Sequence, residues 1–534
     1  MRNFLNRFDD LADIKIENNL LRRLERTAFV FMILMFVAAP HSIAATQIAW
    51  LTGMFIWVVR LFFKPRPHLV RTPLDIPLWI FFIWSIVSSL FSYDPPVSLD
   101  KLRNVALFLI FYYVINVVRT KRAVVFLAFM MITSTMVSVV WTPIERIIGR
   151  GVEIGGVSKE SPLTKALLYD GDTLLKANGK KIRTPDDLIG EMQANESTKL
   201  YVYRPDSYFT VEVKRADLLS GAGALEQLGV AGWTRSRNWR SAGFYGHYTT
   251  FAEVLQLVAS LAFGLFIASL SNKFTSPKRG EDREAEQKTT NAGWQTLILA
   301  ACLALMSFAL LLTVTRASQL GFLISAAAIV SLFGNRKMFL TLAAIILPVA
   351  LLGLLFLQQS RQVGFFDTQD GSIKWRQTVY REGIDLWTKN ARHFTVGVGM
   401  DSIKKYAGEW HLFDDGRLPM GHFHSTPLQL LVERGLPALL LWLWVLWIYG
   451  RTLLRRFRFQ IQNSDDWREK GIVFGCFGGM IGFCASGLVH YNLGDAEVAM
   501  VFFMLMGLSV CLCSFKFQKP NSQSNTVEYA EFQV

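Results

Sequence analysis

The sequence predicts an all-α polytopic membrane protein of about twelve transmembrane helices, with a small α+β domain inserted between them. Three observations predict it. The 534-residue chain is 51% hydrophobic and only 18% charged, against about 25% charged for soluble domains. Its apolar residues fall in long blocks nearly free of charge; Ala28 to Val59 holds no Lys, Arg, Asp or Glu. Residues 151–215 instead alternate with the period of strands. Collagen, coiled coil and bulk disorder are excluded by the same numbers.

The N-terminal segment 1–26 is too charged for a cleavable signal peptide. It reads as a cytoplasmic lead-in that forms an amphipathic helix on the membrane surface. A spanning helix needs about 20 mostly apolar residues. Ala28 to Val59 holds two spans with a turn at Pro40-His41-Ser42. Others fall near 75–92, 104–118, 123–141, 248–270, 295–314, 317–333, 338–357, 428–449, 471–491 and 496–514. The organisation is then membrane helices 1–5 over 27–141, an outer domain at 150–216, helices 6–9 over 248–357, an outer catalytic loop at 358–427, helices 10–12 over 428–514, and a cytoplasmic tail at 515–534.

The net charge of +14 raises the question of a nucleic-acid or anionic-lipid partner. Its placement answers it. Arg60, Lys64, Arg66 and Arg71, then Arg119, Lys121 and Arg122, then Arg451 and Arg455 occupy alternate loops, whereas the outer turns after Pro40 and Asn492 carry no Lys or Arg. Positive loops stay inside. Both termini are therefore cytoplasmic, the two long segments 142–247 and 358–427 lie outside, and no nucleic-acid partner is needed. Cys302, Cys476, Cys484, Cys511 and Cys513 all lie in apolar segments without CxxC spacing, so no zinc site or disulfide framework is indicated.

In the outer domain, GVEIGGV, KLYVYRP and TVEVKR read as strands. LYDGDTLLKANGKKI reads as strand–turn–strand, with Asp170-Gly171 and Asn178-Gly179 as turns. TPDDLIGEMQ reads as a helix with Thr184 as N-cap, Pro185 at the first position and two acids in the first turn. These residues resemble a bacterial PDZ domain, chiefly through Gly171-Asp172-Thr173-Leu174-Leu175 followed by Asn178-Gly179. The resemblance implies capture of an extended peptide or protein segment on a sheet edge, with the carboxylate-binding loop near 148–152. A spacer or docking surface is the alternative.

Four further segments carry chemistry: SRNWRSAGFYGHYTTFAEVL, LTVTRASQLGFLIS, SIKWRQTVYREGIDLW and MGHFHSTPLQLLVERGLPALL. Together they resemble the O-antigen ligase/polymerase superfamily of bacterial envelope glycosyltransferases, most strongly over 237–445. The most specific piece is His424-Ser425, nine residues, then Gly435-Leu436-Pro437; the family's next small or polar position is Ala438 here. The resemblance implies a multi-pass protein of the bacterial inner membrane. It implies transfer of a glycan from undecaprenyl diphosphate, at the periplasmic face, to a hydroxyl of lipid A-core, glycan or protein. No metal or other cofactor is implied. Independently, the chain has no His/Cys/Asp cluster with metal-ligand spacing and no GxxxxGK[ST].

A lipid diphosphate needs cations at the outer boundary, and Arg binds phosphate in bidentate fashion. Arg316 lies between two spans, where an Arg is a functional candidate by default; interfacial snorkelling is the alternative. Arg376 matches the family's second Arg, and its neighbour Arg381 is either a substrate contact or a solvated helix charge. Arg240 precedes a span, on the acceptor side or at the interface. His247 and Glu253 follow it, and Glu253 enters the membrane and needs a partner. His424 is the expected base, since imidazole takes a proton near neutral pH; His422 is a supporting group. Gly397-Val398-Gly399-Met400 reads as a turn before the next helix, and Asp401, Glu409, Asp414 and Asp415 as a solvated loop.

Ligase, polymerase and protein O-oligosaccharyltransferase share this pattern. An intramembrane protease is the first competitor from another class. Zinc types lack their HExxH, and Ser486-Gly487 with His490 reads as helix packing by small residues. The second is a lipid-linked glycan transporter, which matched broken helices in two halves would favour.

Overall fold

The computed structural model describes residues 2–204, 207–237, 239–275, 283–332, 371–418, 421–457 and 466–514. The predicted span 338–357, the start of the outer loop at 358–370 and the tail 515–534 lie outside them. The chain divides into two compact units. Met1–Ser138, Phe244–Leu311 and Thr315–Val534 form the first, and Val139–Gly243 with Leu312–Val314 form the second.

The first unit is helical. It contains α1 (Arg2–Ala12), α2 (Asn19–Ala38), α3 (Ile43–Leu61) and α4 (Asp75–Leu90), then α5 (Lys121–Ile148), whose last turns run into the second unit. After them come α6 (Tyr248–Thr275), α7 (Arg283–Leu312), α8 (Arg316–Leu332), α9 (Gly371–Thr388), α10 (Thr426–Arg456), α11 (Trp467–Gly487) and α12 (Ala496–Ser514). Among the described residues, α3, α5, α6, α7, α10, α11 and α12 are long and apolar enough to cross a membrane, and α4 and α8 are shorter apolar helices. The chain is a multi-pass membrane protein on that composition. The predicted turn at 40–42 joins α2 to α3, with Ser42 capping α3.

The predicted span 104–118 is not one helix. It breaks into Leu102–Val105, a tight turn at Ala106–Phe108 and Leu109–Val117. The last piece is covered by protein rather than lipid: Ile110, Phe111, Tyr113 and Val114 are fully buried. Gly507 on α12 makes room for it, since a Cβ there would stand 2.7 Å from Val114 Cβ. The lead-in helix α1 is pinned by the protein. Arg26 donates twice to Asp9, at 2.6 Å each, and Thr120 Oγ1 donates to the Leu11 carbonyl.

α6, α8 and α11 pack through small residues, which lets their backbones approach closely. A Cβ on Gly264 would overlap the Gly475 nitrogen, and one on Gly482 would overlap Ser325 Oγ. This crossing holds the ends of α6 and α8 and the 488–495 turn after α11 in fixed relation.

The second unit is α+β. Its strands are β1 (Val152–Val157), β2 (Thr173–Ala177), β3 (Lys180–Lys181), β4 (Ser197–Arg204), β5 (Ser207–Lys214) and β6 (Val230–Arg235). The sheet order is β5-β4-β2-β1-β6, with β3 paired to β2. Asn178 (φ 48°) and Gly179 (φ 83°) make the turn between β2 and β3. The predicted helix is Pro185–Ala194, with Thr184 and Asp187 forming a reciprocal capping box. Leu163, Leu168, Leu174, Leu188, Met192 and Leu200 lie at the centre of a buried core.

The sheet does not end at 216. A short helix, Ala224–Leu228, leads through Gly229 (φ 61°) into β6, which pairs antiparallel with β1 from Val152↔Arg235 to Val157↔Val230. The expected carboxylate loop at 148–152 is therefore closed off. The Arg150 N–H donates to the Ser236 carbonyl at 2.9 Å, so this segment continues the β1–β6 pairing.

Candidate active site

α10 is two helices meeting at a break. Gly435 has φ 75° and ψ 175°, and Pro437 stands in the first turn of the second helix. The piece 426–434 is thus a half-helix whose last carbonyls have lost their own N–H partners. The chain supplies substitutes. The N–H groups of Val398 and Gly399 donate to the Val432 and Glu433 carbonyls, both at 2.9 Å. Trp84 Nε1 donates to the Arg434 carbonyl at 2.9 Å. Gly397-Val398-Gly399-Met400 is therefore a backbone cap on the half-helix, not only a turn, and two of its amides are already committed to carbonyls.

The other end of the half-helix carries the chemistry. Ser425 is its N-cap. The Thr426 N–H donates to the His490 carbonyl at 3.0 Å, and Thr426 Oγ1 donates to Asn492 Oδ1 at 2.8 Å. His424 immediately precedes the cap and takes a left-handed backbone, φ 47°. Its ring lies 4.0 Å from the His422 ring and 4.6 Å from Trp375, nearly perpendicular to the latter. Tyr380, one turn along α9 from Arg376, donates its hydroxyl to the His424 carbonyl at 3.0 Å. Arg376 packs against the Trp375 ring at 5.9 Å.

The electrostatics follow from burial. His424 is pushed down to about 2, first by burial and then by His422, Arg376, His490 and His247. His422 is pushed down to about 4, again by burial first and then by Lys404 and other neighbours. Burial thus favours the neutral form of both rings, in which one nitrogen can accept a hydrogen bond.

Two buried polar groups support this cluster. Glu253 on α6 bonds His490 Nδ1 at 2.7 Å, and the two are 3% and 8% exposed. Glu433 accepts from the Asp401 N–H and from Gln429 Nε2, both at 2.9 Å, while Gln429 Oε1 accepts from the Phe423 N–H at 2.8 Å. Glu433 thus ties the half-helix to both the 397–401 cap and the His422–His424 segment. Its neighbour Arg434 is also buried, over the Phe81 ring.

The structure brings Arg376, His422 and His424 together directly, and links Glu253 to them through His490. Arg316 comes from another element: it opens α8, half-buried, just after Val314 at φ 54°. Arg381 lies exposed on α9. Arg240 belongs to the second unit, where its N–H donates to Tyr203 Oη at 3.3 Å. Sequence reasoning missed His490, Glu433 and Arg434 as parts of the site. The signal for the last two was present, since a Glu-Arg pair inside an apolar span demands a partner. Among the described residues no three His, Cys, Asp or Glu side chains are placed to hold a metal ion.

A family model described as O-Antigen ligase matches residues 301–443. That stretch holds Arg316, Arg376, His422, His424 and the Gly435 break. The match supports a membrane glycosyltransferase of the ligase/polymerase type. The curated protein "Magnetosome formation protease MamE" of Paramagnetospirillum magneticum (strain ATCC 700264 / AMB-1) is 36% identical over 81 residues, 15% of this chain. The chain spans only 10% of that relative's length.

Proposed function

We propose that the protein transfers a glycan from undecaprenyl diphosphate to an acceptor hydroxyl at the periplasmic face of a bacterial inner membrane. One observation carries the reading. A neutral His424, wedged between Trp375 and His422 with Arg376 acting on it, lies within the stretch that matches the O-antigen ligase family. In this reading Arg376 and Arg316 hold the diphosphate and stabilise the charge that develops on it. His424 removes the acceptor proton as the acceptor oxygen bonds to the anomeric carbon. The bond from that carbon to the diphosphate oxygen breaks, and its electron pair leaves with the lipid diphosphate. His422 and Glu253 support the base. The exposed Arg381 is better read as a solvated charge.

The acceptor is lipid A-core, a growing glycan or a protein. The second unit favours a protein or peptide partner. We read it as a PDZ-like domain whose ligand edge is β6, not the segment at 148–152. Among the described residues β6 is the end strand of the sheet, paired on one side only. Leu228-Gly229 precedes it, where the backbone turns left-handed. An extended peptide adds to such an edge by main-chain hydrogen bonds.

The test is direct. Purified full-length protein receives an undecaprenyl-diphosphate-linked oligosaccharide with lipid A-core, free glycan or a Ser/Thr peptide. Product on one acceptor, with release of undecaprenyl diphosphate, is expected. Absence of turnover on all three removes the transferase reading.

A further inference from the structure

His422 and His424 carry the same ring two positions apart, and the backbone between them gives the two rings different work. The N–H of His424 donates to His422 Nδ1 at 3.2 Å. A side-chain acceptor that bonds the N–H two residues on makes an Asx turn, here built with an imidazole in place of a carboxamide. The bond falls where the chain needs it. His424 holds a left-handed backbone, φ 47°, which L-residues enter at a cost and keep only where their surroundings enforce it. Three side chains do so here. His422 accepts from the His424 N–H, Tyr380 Oη donates to the His424 carbonyl at 3.0 Å, and Gln429 Oε1 accepts from the Phe423 N–H at 2.8 Å. The His422 ring packs in turn against the His424 ring at 4.0 Å and the Tyr491 ring at 5.8 Å.

We propose, resting on the transferase reading, that His422 is a positioning residue whose Nδ1 holds the left-handed turn presenting His424, and that His424 alone of the two takes the acceptor proton. An imidazole nitrogen that accepts a hydrogen bond carries no proton, so neutral His422 has its proton on Nε2. A base at 422 would have to take its second proton on Nδ1, the atom that already accepts from the His424 N–H. That would set two N–H groups against each other at 3.2 Å and release the turn. The pair is thus divided by atoms. Nδ1 of His422 serves the backbone, and the His424 ring, set by that backbone against Trp375 at 4.6 Å, serves the substrate. Relaxation of the turn would change the direction of the His424 Cα–Cβ bond, and with it the place of the ring relative to the attacking hydroxyl.

The experiment uses full-length His422→Asn, His422→Gln and His422→Ala in the oligosaccharide transfer assay. Asn places an oxygen where Nδ1 stands, whereas Gln reaches the Nε2 position. His422→Asn is expected to keep kcat within about threefold of wild type, because an Asn acceptor closes the same turn. His422→Gln and His422→Ala are expected to lower kcat roughly tenfold to a hundredfold by misplacing the base, with the donor KM within about twofold of wild type. A packing role, or a role for Nε2, gives the reverse order, since Gln is nearer to His in length. Gln equal to or better than Asn therefore overturns the proposal, as does Asn as slow as Ala. A second measurement does not depend on activity. In protein labelled with 15N-histidine, the His422 resonances, identified by their loss in whichever variant folds, are expected to show the proton on Nε2; a proton on Nδ1 overturns the proposal. Inactive wild type overturns the transferase reading and this inference with it; active wild type with Gln no worse than Asn overturns the inference alone.

Discussion

The carbonyl oxygen of Thr395 stands where a side chain on Gly435 would have to be: a Cβ there would overlap it. Position 435 also needs φ 75°, a conformation that costs an L-residue about 1–2 kcal/mol before any clash. Gly435→Ala is therefore expected to lose folded, monodisperse protein in detergent, read by size-exclusion chromatography. Gly450→Ala on the same helix is the control. Its Cβ would meet the flexible end of Met480 at 3.1 Å and the Phe477 ring at an ordinary 3.8 Å, and it is expected to behave as wild type. Equal behaviour of the two variants would refute the role assigned to the break.

Transfer is expected to vanish in His424→Ala and in Arg316→Ala while both proteins still reach the membrane. Arg376→Ala is expected to weaken donor binding as well as turnover, because the proposed mechanism gives it the diphosphate. Turnover of a lipid-linked donor, with membrane content measured by immunoblot, checks all three. Wild-type transfer by any variant removes that residue from the mechanism.

Acid should destabilise the protein through its histidines. His422 and His424 have folded values of about 4 and about 2, below the unfolded value near 6.5. Between those limits the unfolded state binds more protons, so stability is full above about 6.5 and falls as pH drops below it. His393, lowered mainly by burial, adds in the same direction. The melting temperature is expected to fall from pH 7 to pH 5, and less steeply in a His422→Asn/His424→Asn variant. Identical slopes would show that these rings do not drive the loss.

The second unit offers a stability test away from the membrane. Thr184 accepts from the Asp187 N–H at 3.3 Å and caps Pro185–Ala194. Thr184→Ala is expected to cost about 1 kcal/mol. Gly190 is exposed in the same helix with open space at its Cβ, so Gly190→Ala is expected to gain about 0.5–1 kcal/mol. Chemical denaturation of full-length protein, followed by a fluorophore placed in this unit, reads both; shifts of the same sign would contradict the helix assignment.

Periodicity carried most of the helices, because a span is a local property of about twenty residues. It could not show that 104–118 breaks, since that piece is buried against α12 through Gly507 and looks as apolar as a lipid-facing span. The capping box at Thr184–Asp187 was legible because all its parts lie within four residues. β6 was not, because VAGWTR has no alternation of its own and becomes a strand by pairing with β1 far earlier in the chain. In the site, the His424 motif was visible as a pattern. The His490–Glu253 bond was not, because its partners are separated by 237 positions and meet only through the crossing of α6 and α11. The buried Glu433-Arg434 pair is hidden because it sits in an otherwise apolar stretch, and its partners at Asp401 and Phe81 lie on distant segments.

The capped break at Gly435 also bears on how the protein lives in a bilayer of changing thickness. Spanning helices answer mismatch by tilting. Here the half-helix 426–434 is tied through its carbonyls to 398–399 and Trp84, and through Thr426 to the turn at His490 and Asn492. The half-helix that follows the imidazoles is thus fastened at both ends by other parts of the chain, and the continuity of α10 across the break is not what holds it in place.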